Sequence, residues 1–239
     1  MAISGTYAFN PDISEIVEEA YERAGLEMRT GYDLRTARRS LNFLMLEWQN
    51  RGINLWTVEE ATAISTVVGT KTYDIATGTI ALLDVVLRTD DGVTASQTDT
   101  MMNRISEPTY ASIPNKLTQA RPIQYYFDRK EILGAASAGA DQKSTITLWP
   151  VPDKIYKIYY WRTKRISDVG SDAENTMQVP DRFLPCLVSG LAYQIATKRP
   201  ESAGRVPALK QQYEELFREA ADEDRVKVSA RFVPHMASY

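Results

Sequence analysis

The 239-residue chain has an ordinary globular composition, with 44% hydrophobic and 25% charged residues, which argues against a disordered or fibrous protein. Its formal net charge of -3 and pI near 5.4 argue against tight nucleic-acid binding, which normally needs a basic surface. The longest uncharged segment, residues 183–197, is shorter than the roughly 18 residues of a membrane span, so no transmembrane helix is expected.

Two amphipathic helices are predicted at the start of the chain. The first begins with Asp12 and Glu15 in a capping-box pattern and ends at Gly25. The second ends near residues 50–52, where Asn, Arg and Gly follow one another. Apolar residues recur at helical spacing in both, namely Ile13, Ile16, Val17, Ala20, Tyr21 and Ala24, then Leu34, Ala37, Leu41, Leu44, Met45 and Trp48.

The middle of the chain is predicted to be mainly β. Residues 57–76 and 80–94 are rich in Thr, Val, Ile and Tyr with turn residues between them, and RPIQYYFDRK (121–130) has the pattern of a strand. Between them, residues 98–112 favour a short helix limited by Pro108. GAASAGA (134–140) favours a loop, because its small residues cannot fill a core.

Residues 144–164 are predicted to form a β-hairpin that turns at residues 150–153, Pro-Val-Pro-Asp. In the second strand, alternation places Tyr156, Ile158 and Tyr160 on one face. The opposite face carries Ile155, Tyr159 and Trp161. Because both faces are largely apolar, this strand is expected to be sandwiched or to lie at an interface.

A polar connection, residues 167–181, leads to a second pair of predicted helices, with Asp181 near the start of the first. Their apolar positions are Phe183, Leu184, Leu187, Leu191 and Ile195, then Leu209, Tyr213, Leu216 and Phe217. Residues 226–239 alternate like a strand and have no partner nearby in sequence. They are expected either to pair with the chain's own sheet or to add to a neighbouring subunit.

Together these elements predict an α+β fold. The N- and C-terminal helix pairs, residues 1–53 and 177–225, are expected to form a four-helix bundle. Residues 54–176 are expected to form an inserted antiparallel β domain, and residues 226–239 an extended C-terminal tail. The first residues lack the pattern of a secretory signal, so synthesis in a cytoplasm is expected.

Few residues favour catalysis. His235 is the only histidine and lies in the predicted tail, where it is poorly placed to act as an acid, base or ligand. Cys186 is the only cysteine and lies in an apolar helix, which suggests a buried small residue. The phosphate-binding pattern GxxxxGK[ST] is absent. We therefore expect no catalytic residue, no cofactor and no metal site.

Two charged clusters leave alternatives open. Glu15, Glu18, Glu19 and Glu22 crowd one helix and form either a solvated acidic face or, as the sharpest enzymatic alternative, a carboxylate pair for glycan hydrolysis. Arg35, Arg38 and Arg39, with Arg29 before them, form either a clamp for an acidic partner or surface charges paired with those glutamates. Aromatic residues in QYYFDRK and YKIYYWR fit strand packing better than base stacking, given the net charge.

The order of five segments resembles the head-to-tail adaptor proteins of tailed bacteriophages, also called tail accessory factors, tail tubular proteins or connector proteins. The segments are LRTARRSLNFLMLEWQNRGINLW, NRISEPTYASIPNK, RPIQYYFDRK, ITLWPVPDKIYKIYYWR and VPDRFLPCLVSGLAYQIATKRP. Together they span most of the chain. The loop GAASAGA and the polar connection around residues 168–176 depart from the resemblance, so contacts made by those loops cannot be transferred.

The resemblance implies a non-enzymatic virion protein at the head–tail interface. Such a protein docks as a ring, twelve-fold in this family, beneath the phage portal protein after DNA packaging. It extends the channel through which genomic DNA passes, without membrane contact, and it provides the attachment platform for tail nozzle or tube proteins. The C-terminal extension of such proteins grips the portal, and the corresponding candidates here are Arg231, Phe232, Val233 and Pro234.

A ring also accounts for several features that are otherwise unconnected. Large interfaces favour aromatic and arginine residues, and cyclic assemblies repeat one contact around an axis. Arg35, Arg38, Arg39, Tyr159 and Trp161 are therefore candidates for subunit or portal contacts. Two other functions remain open from sequence, a tail-associated enzyme that cleaves glycans with the carboxylates of the first helix, and a monomeric binding module.

Overall fold

A computed structural model describes residues 9–29, 31–52, 55–130, 143–170 and 177–225. The fold is α+β, as expected. In chain order, the helices are α1 (Ile13–Ala24), α2 (Gly31–Arg51), α3 (Glu107–Ala111), α4 (Leu184–Lys198) and α5 (Val206–Glu223). The strands are β1 (Val58–Glu60), β2 (Ile64–Ser65), β3 (Thr72–Asp74), β4 (Thr79–Thr89), β5 (Thr98–Met101), β6 (Asn103–Ile105), β7 (Gln124–Asp128), β8 (Thr145–Trp149) and β9 (Lys157–Lys164).

The described residues group into two compact units. One contains residues up to Trp56 together with those from Ile166 onward, and the other runs from Thr57 to Arg165. Ile166 and Val169, which lie in the connection that follows β9, are buried in the core of the helical unit. The expected C-terminal tail, including Arg231, Phe232, Val233 and Pro234, lies outside the described residues, as does the expected loop 134–140.

The start and end of α1 are set by local chemistry, and both were predicted. The Asp12 side chain accepts a hydrogen bond from the Glu15 N–H at 2.9 Å, while the Asp12 N–H donates to Glu15 Oε2 at 3.2 Å. This capping box satisfies backbone donors that have no partner within the helix. Gly25 ends α1 with φ of 74°, a left-handed conformation that glycine adopts without steric cost.

α4 lies at the centre of the helical unit. Its sequence is apolar around most of its circumference, and it packs against α1, α2 and α5. The close approach is made at Gly190, where an added Cβ would lie 2.8 Å from the Tyr213 ring and 3.0 Å from Leu44. These contacts place the four helices around one core, but they do not confirm the expected four-helix bundle.

An aromatic cluster fills the core of the helical unit. The Trp48 ring lies 5.5 Å from that of Phe183 and 5.9 Å from that of Phe217, measured between centroids. Trp48 Nε1 donates a hydrogen bond to the hydroxyl of the buried Tyr213 at 3.0 Å. The indole therefore combines a large apolar contact with a satisfied polar atom, which is the arrangement that a buried tryptophan requires.

The β unit consists of two sheets that share one core. The five-stranded sheet has the order β1-β9-β4-β5, with β2 also paired to β9, and the four-stranded sheet has the order β3-β8-β7-β6. Pairings are antiparallel except that of β6 with β7. Their buried side chains form a single cluster in which Leu87 and Ile158 of the first sheet meet Ile146 and Leu148 of the second.

The predicted hairpin over residues 144–164 is wrong, because β8 and β9 belong to different sheets. Pro150 and Pro152 have no N–H to donate to a continuing ladder. Val151, which lies between them, instead donates its N–H to the Thr118 carbonyl at 2.9 Å. Pro150, Val151 and Pro152 are buried, and the connection carries the chain from one sheet to the other, so β9 is built into the central part of the five-stranded sheet.

The short helix predicted within residues 98–112 is present as α3, capped by the Ser106 side chain. α3 covers only Glu107–Ala111 of the predicted segment. Met102 and Ile105, which contributed to the helical pattern, lie between β5 and β6 and in β6 respectively. Met102 is buried because its side chain joins the core between the sheets.

A cross-strand ion pair predicts how the β unit responds to acid. Glu59 lies 2.9 Å from Lys164 and 2.6 Å from Arg162, and hydrogen bonds from these cations lower its pKa below the ordinary value of 4.5. Because the folded-state pKa lies below the unfolded one, this contribution to stability is present above about pH 4.5 and is lost as the pH falls through the folded-state pKa.

We therefore expect the difference in melting temperature between wild type and Glu59→Gln to shrink as the pH falls from about 6 to about 3. Thermal melts in a pH series measure it. The matched control is Glu60→Gln, since Glu60 is exposed and forms no ion pair among the described residues. A constant difference for Glu59→Gln across the series would contradict the assignment.

Candidate interaction surfaces

The outward face of α2 carries an unusual combination of apolar and basic side chains. Tyr32 is 69% exposed, Phe43 59% and Leu46 38%, and Arg35 and Arg39 are exposed between them. Spacings of three and four residues place all five on one side of the helix. We call this set, Tyr32, Arg35, Arg39, Phe43 and Leu46, the α2 stripe. Aromatic, arginine and leucine side chains without a partner on one helix face favour a protein interface.

The three arginines of the predicted cluster have different environments in the structure. Arg38 is half-buried and donates a hydrogen bond to the Gly170 carbonyl, so it fixes a loop of its own unit. Arg35 and Arg39 point outward, and neither forms an ion pair within the described part of the chain. The pairing with the glutamates of α1 that sequence left open is therefore not observed for Arg35 and Arg39.

A groove of about 640 Å³ runs between α1 and the start of α4. Its acidic side is formed by Glu15, Glu18, Glu19 and Glu22, and its apolar lining by Phe9, Pro11, Ile16, Leu184, Pro185 and Val188; Arg23 and Asp181 complete it. We call it the acidic groove. Phe9 is 76% exposed. A concave surface with apolar lining and mainly negative charge suits a partner with apolar and basic side chains.

The four glutamates of the groove have different roles. Glu15 belongs to the capping box, and Glu19 pairs with Arg23 at 2.7 Å. Glu18 and Glu22 are exposed and form no ion pair with any described residue. Half of the set thus stabilises α1 itself, whereas the other two carboxylates are available to a partner.

The outer face of β9 carries the two remaining candidates. The Arg88 guanidinium lies 4.0 Å from the centre of the Tyr159 ring, and the Tyr159 hydroxyl donates to Asp91 at 3.1 Å. A hydrogen bond from Lys157 is the largest of the effects that lower the pKa of Asp91. Tyr159 is therefore held by neighbours on its own sheet. Trp161 is 36% exposed, and Ile155, which lies just before the strand, is 69% exposed, so these two side chains are accessible to a partner.

The structure brings together no familiar catalytic arrangement in the described residues. The Cys186 thiol is fully buried, and burial raises its pKa to about 12, so it remains protonated and unreactive at neutral pH. His235 lies outside the described residues. Within the described ranges, no cluster of three or more His, Cys, Asp or Glu side chains is arranged to hold a metal ion.

In the described ranges, none of the helices combines the length and the apolar character needed to span a bilayer.

Sequence reasoning missed the apolar members of the α2 stripe. The signal was present, because Phe43 and Leu46 fall off the stripe of Leu41, Leu44 and Met45 that faces the core. A helix with one apolar face needs only that first stripe. A second one, interrupted by arginines, marks a surface that is buried only when a partner is present.

The sequence matches the family model of the SU10 adaptor protein over residues 12–234. This range includes the five helices and nine strands of the described residues, and most of residues 226–239. No curated protein matches the chain.

Proposed function

The chain belongs to the SU10 adaptor protein family, and from this premise we propose that it is the head-to-tail adaptor of a phage virion, docked as a ring beneath the portal. The family match supports a phage structural adaptor, and hence a virion component. To this the proposal adds the head-to-tail position, the ring and the portal contact. The observation that carries it is the match over 223 residues, 12–234, which covers nearly the whole chain.

In this proposal the ring forms after DNA packaging, contains twelve copies and extends the channel of the portal. The net charge of -3 supports a passage for DNA rather than a binding site, because weak repulsion of phosphates lets the genome slide. Tail nozzle or tube proteins attach to the ring from below. The helical unit acts as a four-helix bundle that supplies contacts between subunits.

The portal contact is assigned to the C-terminal segment 226–239, with Arg231, Phe232, Val233 and Pro234 as anchors. The family match reaches residue 234 and so includes all four, which supports a role for the segment within the adaptor itself. Trp161, Arg35 and Arg39 are exposed and remain candidates for subunit or portal contacts. We assign Tyr159 and Arg38 to stabilising their own units and not to direct contacts, because the Tyr159 hydroxyl donates to Asp91 and Arg38 donates to the Gly170 carbonyl.

The position of the protein in the virion tests the proposal. We expect antibodies against the chain, viewed by immunogold electron microscopy, to label purified virions at the head–tail junction. Label at the distal end of the tail would contradict the adaptor role and favour the glycan-cleaving alternative. Absence of the protein from virions would contradict every structural role.

A further inference from the structure

Two pairs of unpaired charges in the helical unit have the same spacing. Arg35 and Arg39 are four residues apart on α2, and Glu18 and Glu22 are four residues apart on α1. At 1.5 Å of rise per residue, each pair is separated by about 6 Å along its helix. All four side chains are exposed, and none forms an ion pair with a described residue. The two pairs are therefore matched in charge and in spacing.

The apolar residues that accompany these charges are also matched. On α2, Phe43 lies about 6 Å and Leu46 about 10 Å beyond Arg39 along the axis. In the acidic groove, Pro11 and Phe9 lie before the first turn of α1, on the N-terminal side of Glu18. If the two helices run antiparallel, with Arg35 at Glu22 and Arg39 at Glu18, Phe43 and Leu46 reach this apolar end. In a parallel arrangement, Phe43 and Leu46 lie beyond Gly25, away from the apolar end of the groove.

We propose that the α2 stripe of one copy docks in the acidic groove of a second copy, with Arg35 opposite Glu22 and Arg39 opposite Glu18. The inference rests on the proposed ring and identifies the contact between its subunits. Because the stripe and the groove are different surfaces of one chain, the contact is heterologous and leaves one free surface of each kind at the ends of any open chain of subunits. Contacts of this type close into a ring when the rotation between copies permits.

The charges contribute specificity as well as attraction. Reversing one side of the contact places two like-charged pairs opposite each other, which costs affinity, whereas reversing both sides restores the attraction. The apolar side chains favour binding, because the contact buries their surface away from water. Binding between copies should therefore be lost when the charges on one surface are reversed and restored when both surfaces are reversed. A structural role of these exposed residues within one chain would not give this rescue.

Cross-linking of the full chain tests the contact with or without a portal. One population carries Phe43→Cys and the other, tagged to differ in mass, carries Pro11→Cys, and both are treated with a short bismaleimide. Cys186 is fully buried, so the introduced thiols are the reactive ones within the described residues. We expect a cross-linked heterodimer to form. Its yield should fall at least about tenfold when the Phe43→Cys chain also carries Arg35→Glu and Arg39→Glu. Adding Glu18→Arg and Glu22→Arg to the Pro11→Cys chain should restore it.

The matched control reverses Glu27 and Arg29, which are exposed, paired with each other at 3.2 Å and outside both surfaces; the yield should not change. Absence of the heterodimer in free and portal-bound protein, or failure of the double reversal to rescue it, would overturn the contact. A portal-bound ring that forms equally well with the single reversal would overturn it while leaving the proposed function intact. A heterodimer in protein that never binds portal would support the contact and overturn portal docking.

Discussion

Replacing Trp48 with alanine should lower the free energy of unfolding of the helical unit by about 3 to 5 kcal/mol. The indole is 1% exposed and contacts the rings of Phe183 and Phe217, so its loss leaves a cavity between α2, α4 and α5. The Tyr213 hydroxyl also loses the hydrogen bond that Trp48 Nε1 donates to it, which adds the cost of a lost buried hydrogen bond. Urea denaturation monitored by circular dichroism at the helical signal measures the change.

Two further variants separate the causes of this loss. Phe43→Ala truncates an aromatic residue of the same helix at a position that is 59% exposed, and it should cost about 1 kcal/mol or less. Trp48→Phe keeps an aromatic ring but removes the N–H, and it should fall between the two. If Trp48→Ala costs no more than Phe43→Ala, the aromatic cluster is not the centre of the helical core.

Replacing Leu87 with alanine should lower the free energy of unfolding of the β unit by about 2 to 5 kcal/mol. Leu87 lies on β4, is fully buried and belongs to the cluster shared by both sheets. Its truncation therefore removes contacts from the core that holds the two sheets together. Hydrogen–deuterium exchange of peptides from β4, β8 and β9 in increasing denaturant measures the effect on this unit.

The control for this variant lies on the same strand. Leu83 is 37% exposed, so Leu83→Ala should change the free energy by about 1 kcal/mol or less. Equal losses for the two variants would show that packing between the sheets does not determine the stability of the β unit.

The helices of this fold were predictable because their determinants are local. The capping box of Asp12 and Glu15, the glycine at position 25 and the apolar stripes of α1 and α2 are all within a few residues of what they control. The two late helices were predictable for the same reason. Buried positions such as Trp48, Leu191 and Tyr213 follow directly from the helical period.

The sheet topology was not predictable in the same way. Residues 144–164 have the alternation and the turn residues of a hairpin, yet β8 pairs with β3 and β7, and β9 pairs with β1, β2 and β4. Which strand becomes a partner depends on residues far apart in sequence. Ile158 and Tyr160 face the core as their alternation predicted, whereas Ile155, which was expected on the opposite face of the strand, precedes β9 and is exposed.

The candidate surfaces were partly predictable. Arg35 and Arg39 were identified from charge alone. Their lack of ion pairs with described residues and the orientation of Arg38 toward Gly170 depend on how α2 is rotated in the core. The acidic groove could not be predicted, because it combines α1 with the start of α4, which are distant in sequence. Its glutamates were recognised only as a charged face of one helix.

Sedimentation velocity of the chain mixed with the portal protein of its own phage tests the central claim most directly. The full chain should form a saturable complex with about twelve copies per portal ring, and a chain ending after Arg225 should not. This end point keeps Asp224, which accepts a hydrogen bond from the Leu55 N–H at 2.8 Å and pairs with Arg182, so the described fold is retained. If the full chain does not sediment with the portal at any ratio, the protein is not a portal-docking adaptor.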